Sequence, residues 1–470
     1  MAGIFGILDI GKSAIFGQQT AIGVTGHNIA NVNTPGYSRQ RAVLESGIPV
    51  MSESGLMGTG VRTKEIQRSY DKFLTLQLST EQSTYGKLET ENEIISQLES
   101  FFNDSEGQGL NSAISNFFNS FQDLANDPEN SSVRSVVVAR GREVSNLFNN
   151  IDSNLKKLQK SLDADIKVNL SDINRISGEI ADLNLEISKI EGGNVNANDL
   201  RDRRESLLEE LSQKININYF EDYNNQVTVF AGGESPIVEG INVNKLETSP
   251  NAGNSNLLDI NFNNGSGSSI NITNKITGGN LAGLIEVRDT SIPKYIGDMD
   301  ELAAGIINGV NSQHELGTGL DGSTGNAFFT ALQSGLSNGA AGEMSLNPTV
   351  RDNPEKIAAA LTSSSGDNQN ALNIADLQSS SLLGNNTQNF SEFYASMVGE
   401  LGVEANNITN YYNQQESVLT LLKNRRESVS GVSIDEELTD LIKYQNGYSA
   451  AARLISTVDK MLDEMMNMIR

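Results

Sequence analysis

The sequence contains no cysteine and no tryptophan, and it has only two histidines, His27 and His314. The absence of cysteine excludes disulfide bonds, thiolate metal sites and a cysteine nucleophile. Two histidines so far apart in the chain cannot build a histidine metal cluster, and a Ser-His-Asp relay would have to use one of them. We therefore expect a protein that is not an enzyme, with no catalytic, cofactor-binding or metal-ligating residues.

Positive charge is also scarce, because 34 lysines and arginines stand against 59 aspartates and glutamates, for a formal net charge of -25. A surface of this sign repels a phosphate backbone, so nucleic acid is not an expected partner. No apolar run reaches the length of about 18 residues that a membrane helix needs, so no membrane insertion is expected. The start of the chain, 1–11, lacks the features of a cleaved secretory signal. These absences alone would assign the chain to the cytoplasm.

The C-terminal end carries an apolar seam without a charged residue on it. Its members follow one another at alternating spacings of three and four, as in a heptad repeat: Leu441, Tyr444, Tyr448, Ala451, Ile455, Val458, Leu462, Met465 and Ile469. A helix with such a stripe needs a partner helix to cover it. Glu436 and Glu437, just before the seam, are interpreted as solvated residues that cap the start of this helix.

The N-terminal end offers the partner helix. Apolar residues recur there every seven positions: Leu8, Ile15, Ile22 and Ile29. Glycines interrupt the same stretch: Gly11, Gly17, Gly23 and Gly26. Each glycine costs about 1 kcal/mol relative to alanine inside a helix, but it lets another helix approach closely. We expect both chain ends to be weakly ordered in the monomer and to become helical when they pair and assemble. A helix pair that is already stable in the monomer is the alternative.

Between the ends, the pattern predicts a mainly α protein with a β insert. Apolar residues keep helical spacing over much of 74–211, 280–314 and 387–426. In 215–277, alternating apolar residues separated by Gly, Ser and Asn predict a small antiparallel β domain. The glycine-rich string 55–60 has the reverse order of a dinucleotide fingerprint and no lysine, so it is interpreted as a loop.

The expected architecture is nested and has three parts, since 470 residues are too many for one core. The terminal helices pair like a coiled coil, long helices form a rod domain, and the β domain protrudes from its middle. The expected ranges are 1–38 with 432–470 for the terminal assembly domain, 39–214 with 278–431 for the rod domain, 317–378 as a peripheral Gly/Ser/Asn-rich segment of that domain, and 215–277 for the β domain.

A polar motif follows the N-terminal helix. Its members are Asn28, Asn31, Thr34, Pro35, Gly36 and Tyr37, and Ser38, Arg39 and Gln40 continue it. Asparagine side chains can bond neighbouring backbone where a helix ends, and Pro-Gly fits the centre of a type II turn. The motif therefore predicts a fixed helix end where the chain turns outward. A simple helix stop would explain the Pro-Gly pair but not the asparagines before it.

This motif, together with the segment 430–448, resembles the paired terminal signatures of flagellar axial proteins, which include rod, hook and hook-associated subunits. The tail Ser38-Arg39-Gln40 and the segments 276–289, 310–329 and 366–372 are similar to the hook-associated protein 1 family in particular. The β insert and the stretch 330–350 are covered least. The chain is shorter than many members, which implies that an outer domain of some relatives is missing or reduced.

The resemblance implies a structural subunit of the bacterial flagellum at the hook–filament junction. It implies self-association in a ring, with the hook protein and the second hook-associated protein as neighbours. It also implies extracellular location after type III export without a cleaved signal peptide, which replaces the cytoplasmic assignment, and a cytosolic export chaperone on the C-terminal segment. The two seams are the expected assembly interface. Another axial subunit, such as a rod or hook protein, and a secreted coiled-coil adhesin are the alternatives.

Overall fold

The computed structural model describes residues 2–52, 55–102, 109–193, 195–264, 269–332 and 337–468. Its helices are α1 Ala2–Ala30, α2 Lys72–Phe101, α3 Leu110–Asn126, α4 Ser131–Glu191, α5 Asn198–Lys214, α6 Asn280–Glu286, α7 Ile292–His314, α8 Ala340–Glu343, α9 Pro348–Asp352, α10 Gln369–Asp376, α11 Phe390–Ser430 and α12 Ile434–Met468. Its strands are β1 Gln40–Ser46, β2 Val50–Ser52, β3 Gly55–Met57, β4 Val61–Arg68, β5 Ile217–Glu221, β6 Val227–Ala231, β7 Ser235–Glu239, β8 Asn242–Val243, β9 Lys245–Asn251, β10 Leu257–Asn263 and β11 Ser269–Asn271. The mainly α fold with a central antiparallel β region is confirmed.

Long helices form the body of the molecule. Helix α4 has 61 residues and is therefore about 90 Å long. The side chain of Asn130 caps its first turn by accepting from the N–H of Ser132 at 2.9 Å. One apolar face of α4 is buried along most of its length, against α3, α5 and the β strands, while α2 packs on α5 and α11. These helices give the rod-like domain its length.

The β insert lies against α4. Strands β5 to β8 form one antiparallel sheet, and β9, β10 and β11 form another. The buried amide of Asn184 on α4 donates to the carbonyl of Val227 at 2.8 Å and accepts from its N–H at 3.0 Å. Arg288, in a π-helical turn between α6 and α7, is fully buried and bonds Asp163 at 2.7 Å and the carbonyl of Leu258 at 2.8 Å. These polar contacts fix the insert to the rod.

The Gly/Ser/Asn-rich segment 317–378 is not peripheral, which corrects the expectation from composition. Phe328 and Phe329 are fully buried, and their rings lie 5.5 and 5.6 Å from that of Phe117 on α3. Short helices and turns bring further apolar residues of the segment into the same core. Because these residues are not periodic, neither helical nor strand spacing could indicate that they are buried.

A pair of β hairpins follows the polar motif and was missed in the sequence. Strand β1 pairs with β4 from Gln40 opposite Arg68 to Ser46 opposite Val61, with an irregularity after Val43. Strand β2 pairs with β3 beyond them, so part of the string 55–60 is a strand and not a loop. The burial of β1 and β4 alternates only weakly, which explains why period-two spacing did not reveal them.

His314 has both ring nitrogens engaged by backbone groups. Its imidazole is fully buried, with Nδ1 lying 2.6 Å from the carbonyl oxygen of Asn326 and Nε2 accepting from the N–H of Ala358 at 2.9 Å. The neutral ring with its proton on Nδ1 satisfies both contacts, so His314 has a packing role. Burial lowers the pKa of His314 to about 4.

Lowering the pH from about 6.5 to about 4 is expected to remove the stability that neutral His314 contributes. The unfolded imidazole takes up its proton at a higher pH than the folded one, so this contribution is complete above the unfolded pKa and is lost as the pH falls, by roughly 3 kcal/mol in total. Burial raises the pKa of Asp300, which acts in the opposite direction. The measurement is therefore the difference in urea-unfolding free energy between wild type and His314→Gln across this range. Equal pH slopes in the two proteins would contradict the prediction, and His27→Gln is the control for loss of an imidazole.

Candidate assembly site at the paired chain ends

Helices α1 and α12 pack side by side along most of their length. Ala21 and Val24 on α1, and Ala451 and Val458 on α12, are buried. A Cβ added to Gly11 would lie 2.8 Å from Cγ1 of Ile455, so the two backbones approach closely at that point. The pairing of the two chain ends expected from their seams is therefore present in a single copy of the chain.

The expected interface residues differ in their exposure. On α1, the seam residues are half-buried: Leu8, Ile15, Ile22 and Ile29. On α12, Val458 is buried, and others are half-buried: Leu441, Tyr444, Ile455 and Leu462. Tyr448 and Met465 are exposed, and Ile469 lies outside the described residues. The fully buried residues of α1 lie beside the seven-residue repeat and not on it, because α12 covers only part of this helix and β1 and β4 cover another part.

Only some glycines of α1 serve close approach. Gly11 faces Ile455, and a Cβ on Gly17 would lie 3.5 Å from Leu44 of β1 and from Val61 of β4. At Gly23 and Gly26 an added Cβ would meet no described atom within 4 Å. The expectation that the glycines accommodate a neighbouring helix therefore holds at Gly11, while Gly17 accommodates the hairpin.

The buried side chain of Asn28, the first asparagine of the polar motif, joins three parts of the chain. Its Nδ2 donates to the carbonyl of Gln40 at 2.8 Å and to Oε2 of Glu437 at 2.9 Å. Its Oδ1 accepts from the hydroxyl of Tyr37 at 2.8 Å and from the N–H of Gln40 at 3.0 Å. All four hydrogen-bonding positions of the amide are therefore used. We call Asn28, Tyr37, Gln40 and Glu437 the junction cluster.

The rest of the motif builds the turn that was expected. The N–H of Tyr37 donates to the carbonyl of Thr34 at 3.2 Å, and Gly36 has a φ of 78°, the value that the third residue of a type II turn requires. The amide of Asn31 donates to the carbonyl of His27 at 3.0 Å and so satisfies an end group of α1. Thr34, Pro35 and Gly36 are exposed. The turn thus ends α1 and directs the chain into β1.

Charged contacts tie this turn to α5, α11 and α12. The N–H of Ser38 donates to Asp202 of α5 at 2.8 Å, and that of Arg39 donates to the carbonyl of Ser430 at 2.7 Å. The guanidinium of Arg39 binds Glu436 at 2.6 Å and Glu437 at 2.7 Å. Glu437 is 2% exposed, which corrects its interpretation as a solvated capping residue. The terminal pair is therefore attached to the rod domain through this region.

The junction cluster favours a neutral phenol at Tyr37. Burial, and then the nearby carboxylates of Asp199, Asp202 and Glu437, raise the pKa of Tyr37 far above its usual range. The phenol therefore keeps the proton that it donates to Asn28. Sequence reasoning identified Asn28 and Tyr37 but missed Glu437 and Asp202 as partners. Both residues are far from the motif in the sequence, so no local pattern could indicate that they are its partners. The Ser38-Arg39-Gln40 tail only marked this part of the chain.

The surface of the paired chain ends carries exposed apolar side chains. In the described ranges, no group of three or more His, Cys, Asp or Glu side chains is arranged to hold a metal ion. Within the same ranges, no helix is both long and apolar enough to cross a membrane. The terminal pair instead presents exposed apolar side chains on both helices, among them Phe5 and Phe16 on α1 and Met461 and Met466 on α12.

Comparison with known sequences finds a family model at each end of the chain. Residues 8–37 match the family model described as flagella basal body rod protein, and residues 425–468 match the C-terminal model of the flagellar basal body rod FlgEFG proteins. Residues 95–329 match the model described as the flagellar hook-associated protein FlgK helical domain. The fold and its ends thus define a structural protein of the bacterial flagellum.

Similarity over the full length gives the particular family. The chain is 31% identical to flagellar hook-associated protein 1 of Bacillus subtilis, over 99% of both chains, and 24% identical to that of Escherichia coli, over 98% of this chain and 99% of the other. The flagellar hook junction protein FlgK from Burkholderia pseudomallei shares the fold, with a TM-score of 0.69 at 17% identity, over 75% of this chain and all of that one. The chain belongs to the flagellar hook-associated protein 1 family.

Proposed function

We propose that this chain forms the junction layer between the flagellar hook and filament, and that copies polymerise in a ring through their paired ends. Its neighbours in this proposal are the hook protein and the second hook-associated protein. The terminal assembly domain consists of 1–38 and 432–470, and the hairpins β1 to β4 are added to it because they pack on α1. The rod domain and the β insert then lie outside the polymerised layer.

One observation carries the proposal: the terminal pair exposes apolar surface that the described part of its own chain leaves uncovered. Phe16 is 57% exposed and Met466 is 72% exposed, and both lie on a helix pair that is attached to the rod at the junction cluster. Exposed apolar surface of this kind marks an interaction site on a soluble chain. Polymerisation of the terminal pairs would cover it, and the attachment at the junction cluster would fix the direction of the rod.

The export route follows from the same features. A chain without cysteine forms no disulfides, and helix α1 is weakened by glycines, so the ends are easily kept unfolded for a type III channel. Before export, the seam of α12 supplies the amphipathic surface that a cytosolic chaperone would cover. The weak order of the ends in the monomer is part of this proposal.

The test uses isolated hooks and the purified chain, observed by electron microscopy. We expect a layer of the chain at the distal end of each hook and, after addition of the next subunits, filaments that grow from that layer. A strain without the chain should carry hooks without filaments. A rod or hook subunit would instead leave the cell without hooks when deleted, and an adhesin would leave isolated hooks bare. Either result would overturn the proposal.

A further inference from the structure

A cleft of about 330 Å³ lies where β4, the start of α2, helix α5 and the strands β5 and β6 meet. A cleft of this size can hold a small ligand. Basic residues of its lining outnumber acidic ones, in contrast to the whole chain: Arg68, Lys72, Arg201 and Arg204 against Glu205 and Glu221. We call it the α5 cleft, because α5 supplies three of these six residues.

The charge of the arginines is already balanced and does not by itself indicate a ligand. Arg68 binds Asp202 at 2.8 Å and Glu205 at 2.6 Å. Arg201 and Arg204 likewise each bind a carboxylate, at 2.7 and 2.6 Å. A ligand would therefore have to use hydrogen-bonding groups that these ion pairs leave over.

Arg204 has one such group. Its side chain lines the cleft and is 3% exposed. Its terminal nitrogens donate to the carbonyl of Asn225 at 2.7 Å and to Glu221 at 2.6 Å, while Nε has no hydrogen-bond partner among the described residues. Burial lowers the pKa of Arg204 despite this carboxylate, so its charge is not fully compensated where it lies. A buried donor without an acceptor is unfavourable, and an acceptor bound in the cleft would remove this cost.

Tyr219 on β5 and Lys72 at the start of α2 add two more unused donors to the lining of the cleft. Among the described residues, the hydroxyl of Tyr219 makes no hydrogen bond and the ammonium of Lys72 makes no ion pair. Burial raises the pKa of Tyr219, so its phenol keeps the proton that it can donate. The acidic residues of the lining, Glu205 and Glu221, are by contrast engaged with arginines. The groups left over are therefore donors.

We propose that the α5 cleft binds a small oxyanion, phosphate or a carboxylate, through Arg204, Tyr219 and Lys72. Such an anion supplies acceptor oxygens and negative charge, which match an unpaired guanidinium nitrogen, a phenol and an ammonium. Because these donors lie on α5, β5 and α2, a bound anion would join the β insert to two helices of the rod domain. It would also stabilise the folded chain, since only folding brings the three donors together. Binding would be independent of polymerisation, because none of the donors lies on α1 or α12.

Equilibrium dialysis of the full-length chain against labelled phosphate and, separately, labelled succinate tests this site at constant ionic strength. We expect saturable binding of at least one of the two anions, with one anion per chain. Tyr219→Phe and Lys72→Gln should each weaken binding about tenfold, the value of one hydrogen bond to a charged group. Neither substitution removes a polar contact among the described residues, so both variants should keep the circular dichroism spectrum of the folded chain. Arg204 is left unchanged, because it also holds Asn225 and Glu221.

Matched controls make the same chemical changes outside the cleft. Tyr223→Phe and Lys64→Gln alter exposed residues and should bind the anion as the wild type does. Binding of both anions means that the site accepts phosphate and carboxylates alike, and binding of one identifies the source. No saturable binding of either would overturn the site and leave only water for Nε of Arg204. Equal affinity in the wild type, Tyr219→Phe and Lys72→Gln would also overturn it, because the bound anion would then be an adventitious ion only. The junction role would stand in either case.

Discussion

Replacing Asn28 by aspartate is expected to detach the terminal helix pair from the rod domain while both remain folded. The substitution keeps the shape of the side chain but removes the Nδ2 donor that reaches Gln40 and Glu437. The carboxylate introduced at position 28 then faces the carboxylate of the buried Glu437, where the wild type has a hydrogen bond of 2.9 Å. Loss of a buried polar contact that leaves a charge unpaired typically costs about 3–5 kcal/mol.

Hydrogen exchange of the chain assembled on hooks, where the terminal pair is ordered in our proposal, measures this effect where it arises. Opening that becomes easier by about 3 kcal/mol should speed amide exchange in β1 and in the last turns of α1 by roughly a hundredfold, while α4 keeps its protection. Asn33→Asp is the matched control, because it introduces the same charge at an exposed position of the same turn. Adding Glu437→Gln to Asn28→Asp should restore part of the protection, since the new amide can donate to the aspartate, while the hydrogen bond to the carbonyl of Gln40 stays lost. Unchanged exchange in Asn28→Asp would show that the junction cluster does not hold the terminal pair.

Features that depend on neighbours along the chain were predictable from the sequence. The long apolar stripes of α4 and α12 follow helical periodicity, and the structure has helices at both places. The turn at Pro35-Gly36 was predictable because proline restricts φ and glycine accepts a positive φ, which Gly36 has. In each case a local rule agrees with the tertiary structure.

Features that depend on distant partners were not predictable. Asn28 and Glu437 are separated by more than 400 positions, so the motif could indicate a special turn but not the carboxylate that its amide binds. The interpretation of Glu437 as solvated was wrong for the same reason, since burial of a charge depends on Arg39 and Asn28 being present. The burial of Phe328 in a glycine-rich segment likewise depends on a core formed by other helices.

The glycines of α1 show how a correct local rule can have more than one outcome. Their cost to an isolated helix follows from backbone entropy and applies to all of them. Their use depends on what lies opposite, which is Ile455 at Gly11, the hairpin at Gly17, and no described atom near an added Cβ at Gly23. The seam residues on α1 and α12 remain candidates for contacts between copies, because most of them are only partly covered by the described residues of one chain.

Replacing Val458 by aspartate is expected to abolish assembly on hooks without unfolding the body of the protein. Val458 is 2% exposed and lies in the seam between α12 and α1. An aspartate there would bury an unpaired charge, at a cost of several kcal/mol, or it would force the two helices apart. Electron microscopy of hooks mixed with Val458→Asp should therefore show bare distal ends, whereas thermal unfolding of the rod domain and β insert should match the wild type.

Ser456→Asp separates the effect of a lost seam from that of added negative charge. Ser456 is exposed on the same turn of α12, so its substitution changes the net charge equally and leaves the seam intact. We expect Ser456→Asp to form the layer on hooks as the wild type does. A normal layer with Val458→Asp would mean that the copies do not polymerise through the paired ends, whereas loss of the layer with both variants would mean that the terminal pair is sensitive to charge and not to its seam. Only loss with Val458→Asp alone assigns assembly to the packing of α12 on α1.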